Sequence, residues 1–152
     1  MRLITPIRLL VAMLALGGVS SPALADAPRP YKGNLKSTTL TVTPTPEGLL
    51  LFETAVSGRG TMMGKFTGTA SYFVNPLDGS FTGVLTKVAA NGDKIHESFV
   101  GQFNADFTES SGEFWIDGGT GRFQGADGGG LFTGKVTGPT TIEIKYAGTI
   151  AK

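Results

Sequence analysis

A carboxylate and an ammonium group are expected to meet inside an otherwise apolar fold. Glu97 is flanked, at a spacing of two residues, by Ile95 and Phe99. In a β-strand this spacing puts all three side chains on one face. Because a lone buried carboxylate is costly, Glu97 must be paired, protonated or close to an open rim. Lys87, in the segment that precedes it, is the candidate partner.

Two interpretations of Glu97 stay open. It is either a structural carboxylate satisfied by Lys87 or by a threonine hydroxyl, or the polar contact of a ligand cavity. In the second case it could also be an acid or base whose pKa burial has raised. Glu53, between Leu51 and Ala55, is a second carboxylate in an apolar alternation.

Two tyrosines could bring hydroxyl groups into the same interior. Tyr72 and Tyr146 share their strand faces with other aromatic residues, which predicts core positions with a hydroxyl at the rim. No residue is assigned a catalytic role. The predicted ligand-binding residues are Glu97, Lys87, Glu53, Tyr72 and Tyr146.

Other site chemistries fit the sequence poorly. The chain has one His and no Cys, and His96 has no carboxylates at ligand spacing, so we predict neither a metal site nor a cofactor. His96 is expected to face solvent, which argues against a Ser-His-Asp triad. The glycine-rich run 118–130 leads to Gly134 and Lys135, but Val136 follows where a phosphate-binding loop needs Ser or Thr.

The first 25 residues have the pattern of a signal peptide. Arg2 and Arg8 precede an apolar run, 9–19, that is too short to span a bilayer as a helix, and small residues lead up to Ala25. We therefore expect export to the periplasm or the exterior, a mature chain from Asp26, and no transmembrane segment after processing.

Composition limits the partners of the remaining chain. Of the 13 Lys and Arg residues two lie in the leader, so the rest is nearly neutral against 12 Asp and Glu, and no basic run predicts binding to nucleic acid. Without cysteine, stability must come from packing. The Pro-rich stretch 26–34 predicts a flexible arm, and 35–152 predicts one domain.

Short β-strands account for that domain. Segments such as "STTLTVTP" and "TIEIKYAGTI" alternate and are rich in β-branched residues, and no stretch keeps a helical period. Turn signals such as "NPLDG" and "ANGD" separate them. The predicted strands are 35–43, 48–58, 64–74, 79–89, 93–104, 111–117, 128–137 and 141–151.

An aromatic residue stands two positions before a glycine in five of these strands. Glycine permits the coiling that closes a small barrel, and the ring on the same face covers the bare backbone. The sequence therefore predicts an all-β fold, a small closed eight-stranded antiparallel barrel. The five pairs are Phe66/Gly68, Phe81/Gly83, Phe99/Gly101, Phe132/Gly134 and Tyr146/Gly148.

The hairpin in "AANGDK" predicts a register. A three-residue loop over 90–92, with Gly92 in the left-handed conformation, keeps the two aromatic faces together. Lys87 is then within diagonal reach of Glu97. The predicted opposite pairs are Phe81 with Gly101, Gly83 with Phe99, and Leu85 with Glu97.

The segment "GGTGRFQGADG" (118–128) resembles a Gly-Gly-Thr-Gly-Arg/Lys-Phe motif of the allene oxide cyclase-like and dirigent-like barrels, above all their secreted bacterial branch. "GRGTMMGKFTG" (58–68) and "KVAANGDK" (87–94) match two further segments, with Met62 or Met63 where that branch usually has His. The resemblance spans about 35–150 and implies an eight-stranded antiparallel barrel. It further implies either cyclisation of an epoxide or stereoselective coupling of phenoxy radicals, although most of the bacterial branch has no established activity.

Three functional hypotheses follow. The first is a non-catalytic barrel that binds a small hydrophobic molecule. The second is a cyclase, isomerase or dirigent-like protein with Glu97 as acid or base. The third is a structural module that forms homo-oligomers through an outer face bearing Trp115. Arg122 is expected to hold the glycine-rich corner together while Phe123 closes one end of the barrel.

Overall fold

The computed structural model describes residues 27–152, and the signal-peptide prediction and Asp26 lie outside them. The described chain forms a closed barrel of eight antiparallel strands in sequence order, in which β8 pairs with β1. This confirms the predicted fold class. The strands are β1 (Arg29–Pro44), β2 (Leu50–Gly60), β3 (Gly64–Val74), β4 (Ser80–Ala89), β5 (Lys94–Phe103), β6 (Glu109–Gly119), β7 (Asp127–Val136) and β8 (Thr141–Ala151), with a 3-10 helix at Gly121–Phe123.

The first strand begins earlier than the sequence predicted. From Arg29 onward the stretch expected as a flexible arm over 26–34 pairs with β8, and Tyr31 lies opposite Gly148. Tyr31 is fully buried and its ring contacts the ring of Tyr146, with 5.3 Å between centroids. Burying this aromatic side chain stabilises the strand pairing despite the neighbouring prolines.

The register predicted for β4 and β5 is confirmed. Phe81 lies opposite Gly101, and Gly83 lies opposite Phe99. The Ala89 amide donates to the Asp93 carbonyl at 2.8 Å, so the loop between this closing pair has three residues, 90–92, and Gly92 has a left-handed φ of 91°. Within this turn the Gly92 amide donates a hydrogen bond of 2.9 Å to the Ala89 carbonyl.

Glycines on the inner face leave room for aromatic rings. A Cβ atom on Gly101 would overlap the ring of Phe81, and one on Gly112 would overlap the ring of Phe132. The rings therefore lie where side chains from neighbouring strands are missing. A barrel of eight strands has an interior just wide enough for side chains or one small ligand, so these glycines determine how much aromatic bulk fits.

The two ends of the barrel are filled differently. At the closed end, which carries the β2–β3, β4–β5 and β6–β7 connections, Phe123 of the 3-10 helix is fully buried next to Gly119. Arg122 packs over the Phe123 ring at 4.7 Å, and its Nε lies 3.6 Å from Asp93 Oδ2. At the open end, which carries the other four hairpins, Phe103 remains partly exposed.

No helix in the described part of the chain is both long and apolar enough to cross a membrane.

Candidate ligand site

An apolar cavity of about 70 Å³ lies inside the barrel. The part of its wall nearest the open end includes Phe103 and Ile142, which are partly exposed. Its floor contains Lys87 and Glu97, the two charged side chains of the lining. The remaining lining residues are Leu35, Ser37, Val56, Ala70, Tyr72, Phe81, Leu85, Phe99, Ser110, Phe114, Phe132, Ile144 and Tyr146.

Three side chains from three strands form a hydrogen-bonded group, the buried trio of Tyr31, Lys87 and Glu97. The Lys87 ammonium lies 2.9 Å from Glu97 Oε1, and the Tyr31 hydroxyl donates to the same oxygen at 2.6 Å. Lys87 Nζ also lies 3.1 Å from the Tyr31 hydroxyl oxygen. Because β1 and β5 lie on opposite sides of an eight-stranded barrel, the Tyr31–Glu97 bond crosses the interior.

Aromatic rings surround the ammonium group. Lys87 Nζ lies 3.7 Å from the centroid of the Tyr146 ring, and 4.9 and 5.1 Å from those of Tyr31 and Phe66. The negative face of such a ring attracts a cation, and the attraction is larger where water is excluded. The rings, together with Glu97, compensate in part for the lost hydration of Lys87, which is only 1 % exposed.

Burial also changes the proton affinities of the site. Desolvation lowers the pKa of Lys87, and the charge of Glu97 opposes that change. Desolvation, followed by the Glu97 charge and hydrogen bond, raises the pKa of Tyr31, and burial likewise raises the pKa of Tyr146. Both tyrosines therefore keep their hydroxyl protons throughout the neutral range.

The two oxygens of the Glu97 carboxylate differ in their contacts. Both hydrogen bonds of this carboxylate reach Oε1. In residues 27–152 the Tyr146 hydroxyl is the one fully buried side-chain N or O atom without a partner. Oε2 accepts no hydrogen bond from the described residues, and the Glu97 side chain lines the cavity floor.

A backbone irregularity lies beside this carboxylate. The pairing of β5 with β6 shifts register between Ile95 and Glu97, and Gly118 in the bulged part of β6 has a φ of 95°. Bulges re-aim neighbouring side chains and are frequent next to functional sites.

The structure brings four of the five predicted site residues to the cavity. Glu97, Lys87, Tyr72 and Tyr146 line it, and the predicted diagonal contact of Lys87 with Glu97 is present. Tyr72 stacks on the Phe52 ring at 5.2 Å between centroids, and burial raises its pKa to about 12. These four residues therefore belong to the lining of one cavity.

Glu53 lies elsewhere. Its side chain is exposed on the outside of β2, where the Thr41 hydroxyl donates to Oε2 at 3.4 Å. The residues of β2 that face inward are its neighbours Phe52 and Thr54, so the alternation of this strand runs opposite to the one that would bury Glu53.

Tyr31 is the site residue that the sequence interpretation missed. It lies in the Pro-rich stretch expected as an arm, and yet Tyr31 and Gly33 have the aromatic–glycine spacing of the five predicted pairs. That spacing was the available signal for an inward-facing strand position. The pairing of Gly33 with Tyr146 on β8 shows the same arrangement of ring and glycine as elsewhere in the barrel.

The comparisons with known proteins add no identity to this site. No family model matches the chain, and no curated protein matches it. Within residues 27–152, no three His, Cys, Asp or Glu side chains are grouped so that they could hold a metal ion. The functional argument therefore rests on the cavity and the buried trio.

Proposed function

We propose that this protein is a non-catalytic β-barrel that binds one small hydrophobic molecule in its interior. The observation that carries the proposal is an apolar cavity whose single charged corner is already neutralised by an internal ion pair. Small-molecule sites commonly combine apolar walls with a few polar groups that fix orientation. The signal-peptide pattern of the first 25 residues supports a location outside the cytoplasm. The resemblance of the glycine-rich segment 118–128 supports membership of the allene oxide cyclase-like and dirigent-like barrels.

The volume limits what can enter. An engineered protein cavity of about 150 Å³ takes up benzene, whereas the space here is about 70 Å³. A slender group fits into such a space, and the rest of the molecule can extend past Phe103 and Ile142 towards the open end. The ligand is therefore a narrow molecule that enters by one end.

A cavity-filling substitution tests the proposal. Ala70 is buried in the cavity wall, and Ala70→Leu would occupy the space. We expect NMR titration with 1-heptanol and with hexyl methyl ether to shift the resonances of cavity residues in the unaltered protein and to leave them unshifted in Ala70→Leu. Ala147→Leu, the same change on the outside of β8, is the matched control and should bind normally. Absence of binding by the unaltered protein would refute the proposal.

A second candidate function is acid or base catalysis on a hydrophobic substrate, as in a cyclase, isomerase or dirigent-like protein. The position of Glu97 in the cavity lining, with no hydrogen bond to Oε2 from the described residues, favours it. This candidate requires that Glu97→Gln abolish turnover of the substrate while substrate binding persists. Equal turnover by the two proteins would exclude it.

A third candidate is self-association through the outer surface. Trp115 is 44 % exposed, and Val100 and Leu131 on the adjoining strands are exposed as well. Sedimentation velocity should then show concentration-dependent assembly that Trp115→Ser removes. A single monomeric species at every concentration would exclude it.

A further inference from the structure

We propose that the cavity selects neutral, straight-chain aliphatic molecules that carry a hydroxyl head group, and that it discriminates against carboxylates. The inference rests on the proposed function, because it assumes that the cavity is a binding site. It assigns the head group to Oε2 of Glu97 and the aliphatic chain to the apolar wall.

The first step is that Lys87 has no donor left for a ligand. An ammonium group has three N–H donors. The atoms near Nζ are Glu97 Oε1 at 2.9 Å and the Tyr31 hydroxyl at 3.1 Å, and the Tyr146 ring faces it at 3.7 Å. With all three directions occupied, the one cation of the lining cannot bind an anionic head group.

The second step is that Glu97 has an acceptor to spare. Its two internal hydrogen bonds both reach Oε1, Oε2 accepts none from the described residues, and Glu97 lines the cavity. An ionised carboxylate oxygen only accepts hydrogen bonds. The complementary ligand group is therefore a donor, such as the hydroxyl of an alcohol.

The third step concerns charge. Lys87 and Glu97 cancel, and the other lining residues are uncharged. A carboxylate ligand would bring a second negative charge next to Glu97, and an ammonium ligand would bring an unpaired positive charge into an apolar space. Both would lose hydration without a free counter-charge. A neutral alcohol avoids that cost.

The fourth step is shape. About 70 Å³ is less than half of the roughly 150 Å³ that accommodates benzene. An aromatic ring would have to displace Phe99 or Phe132, which lie in a network of tilted and edge-to-face ring contacts. A linear chain requires no such movement, so the part of the ligand that follows the hydroxyl head group is a straight aliphatic chain.

Four probes of similar size test the inference by calorimetric titration at pH 7. They are 1-heptanol, its isomer hexyl methyl ether, heptanoate, and benzyl alcohol. We expect 1-heptanol to bind about tenfold more tightly than the ether, because only the alcohol donates a hydrogen bond to a charged acceptor. Heptanoate and benzyl alcohol should each bind at least about tenfold more weakly than 1-heptanol.

The outcomes separate this inference from the proposed function. If the probes bind but the ether equals the alcohol, or heptanoate or benzyl alcohol binds as tightly, the head-group inference is overturned and the binding function stands. If none of the four probes binds, the proposed function is overturned as well.

A double variant identifies the group that makes the selection. Glu97→Gln alone would leave Lys87 buried without a counter-charge, so Lys87→Met and Glu97→Met are combined and folding is checked by circular dichroism. We expect the double variant to bind the ether as before and to lose the tenfold preference for the alcohol. A preference that persists in the folded double variant would overturn the assignment to Glu97.

Discussion

The closed and open ends of this barrel are made from the same eight strands and differ in what fills them. At the closed end Phe123, Ile95 and Phe66 are all less than 2 % exposed. Towards the open end Phe52 and Phe103 are only partly buried. The buried trio lies between these two regions. The comparison indicates that packing stability is concentrated at one end, while access to the interior is kept at the other.

The connections explain the difference. The β6–β7 connection carries the 3-10 helix that inserts Phe123 into the closed end. The hairpins at both ends satisfy polar groups internally: Asn104 Oδ1 accepts from the Thr108 amide at 2.9 Å at the open end, and Asn91 Oδ1 accepts from the Asp93 amide at 3.0 Å at the closed end. The 3-10 helix of the β6–β7 connection is therefore what places an aromatic ring in the closed end.

The largest expected effect comes from truncating a ring at each end. Phe123→Ala should lower the free energy of unfolding by about 3–5 kcal/mol, since it leaves a cavity in a fully buried region. Phe103→Ala removes a partly exposed ring and should cost no more than about 1.5 kcal/mol. Urea unfolding of both variants measures the difference. Equal losses would show that the two ends are packed alike.

Substitution of Lys87 tests the ion pair that lies between the closed and open ends of the barrel. Lys87→Met leaves Glu97 buried without its cation and should destabilise the protein by about 3–5 kcal/mol. Adding Glu97→Met should restore most of that loss, because an apolar pair has no charge to desolvate. Urea unfolding of the single and double variants provides the comparison. A double variant as unstable as the single one would contradict the pairing as the cause.

Removing the hydroxyl group from each of two buried tyrosines should change the free energy of unfolding in opposite directions. Tyr31→Phe removes a donor to a carboxylate and should lower the free energy of unfolding by about 1.5–3 kcal/mol. Tyr146→Phe removes a buried hydroxyl that has no partner in the described chain, and should raise it by about 1 kcal/mol. Both variants keep the ring, so each serves as the packing control for the other in thermal unfolding. A loss on Tyr146→Phe would show that its hydroxyl is satisfied.

How much of the fold and of the candidate site could be predicted from the sequence depends on how far apart the contacting residues lie along the chain. The β4–β5 register was predicted because a three-residue loop ending at Gly92 is a local signal, and the register in turn gives the Lys87–Glu97 contact. Closure of the barrel was predicted because the aromatic–glycine spacing recurs on several strands. These features depend only on neighbouring strands.

The rest of the site depends on contacts across the interior. Tyr31 reaches Glu97 from the opposite wall, 66 residues away in sequence, and no local pattern specifies that meeting. Glu53, like Glu97, has an apolar residue two positions away on each side and yet faces outward, because pairing with β3 determines which face of β2 is inside. Alternation gives two faces and cannot by itself say which is inner.

Alkaline titration should reveal the tyrosines as a group. The chain has three, Tyr31, Tyr72 and Tyr146, and burial raises the pKa of each above the ordinary value of about 10, to about 12 for Tyr72. A pKa that is higher in the folded than in the unfolded state contributes stability below the unfolded value, and that stability is lost as the pH rises past it.

The titration of Lys87 changes the stability of the fold in the opposite sense, and over a lower pH range. Its pKa is lowered by burial, so its cost to the fold is largest at low pH and diminishes as the pH approaches about 10.5, the ordinary value for lysine. Above that pH, among these groups, only the tyrosines still change the free energy of unfolding, and stability should fall.

Absorbance at about 295 nm should therefore show little tyrosinate until the barrel unfolds. All three tyrosines should then ionise in one cooperative step that coincides with loss of the β-sheet circular dichroism signal. A gradual titration centred near pH 10 with the sheet signal intact would mean that the tyrosines are open to solvent, and that the closed end does not exclude water as its packing requires.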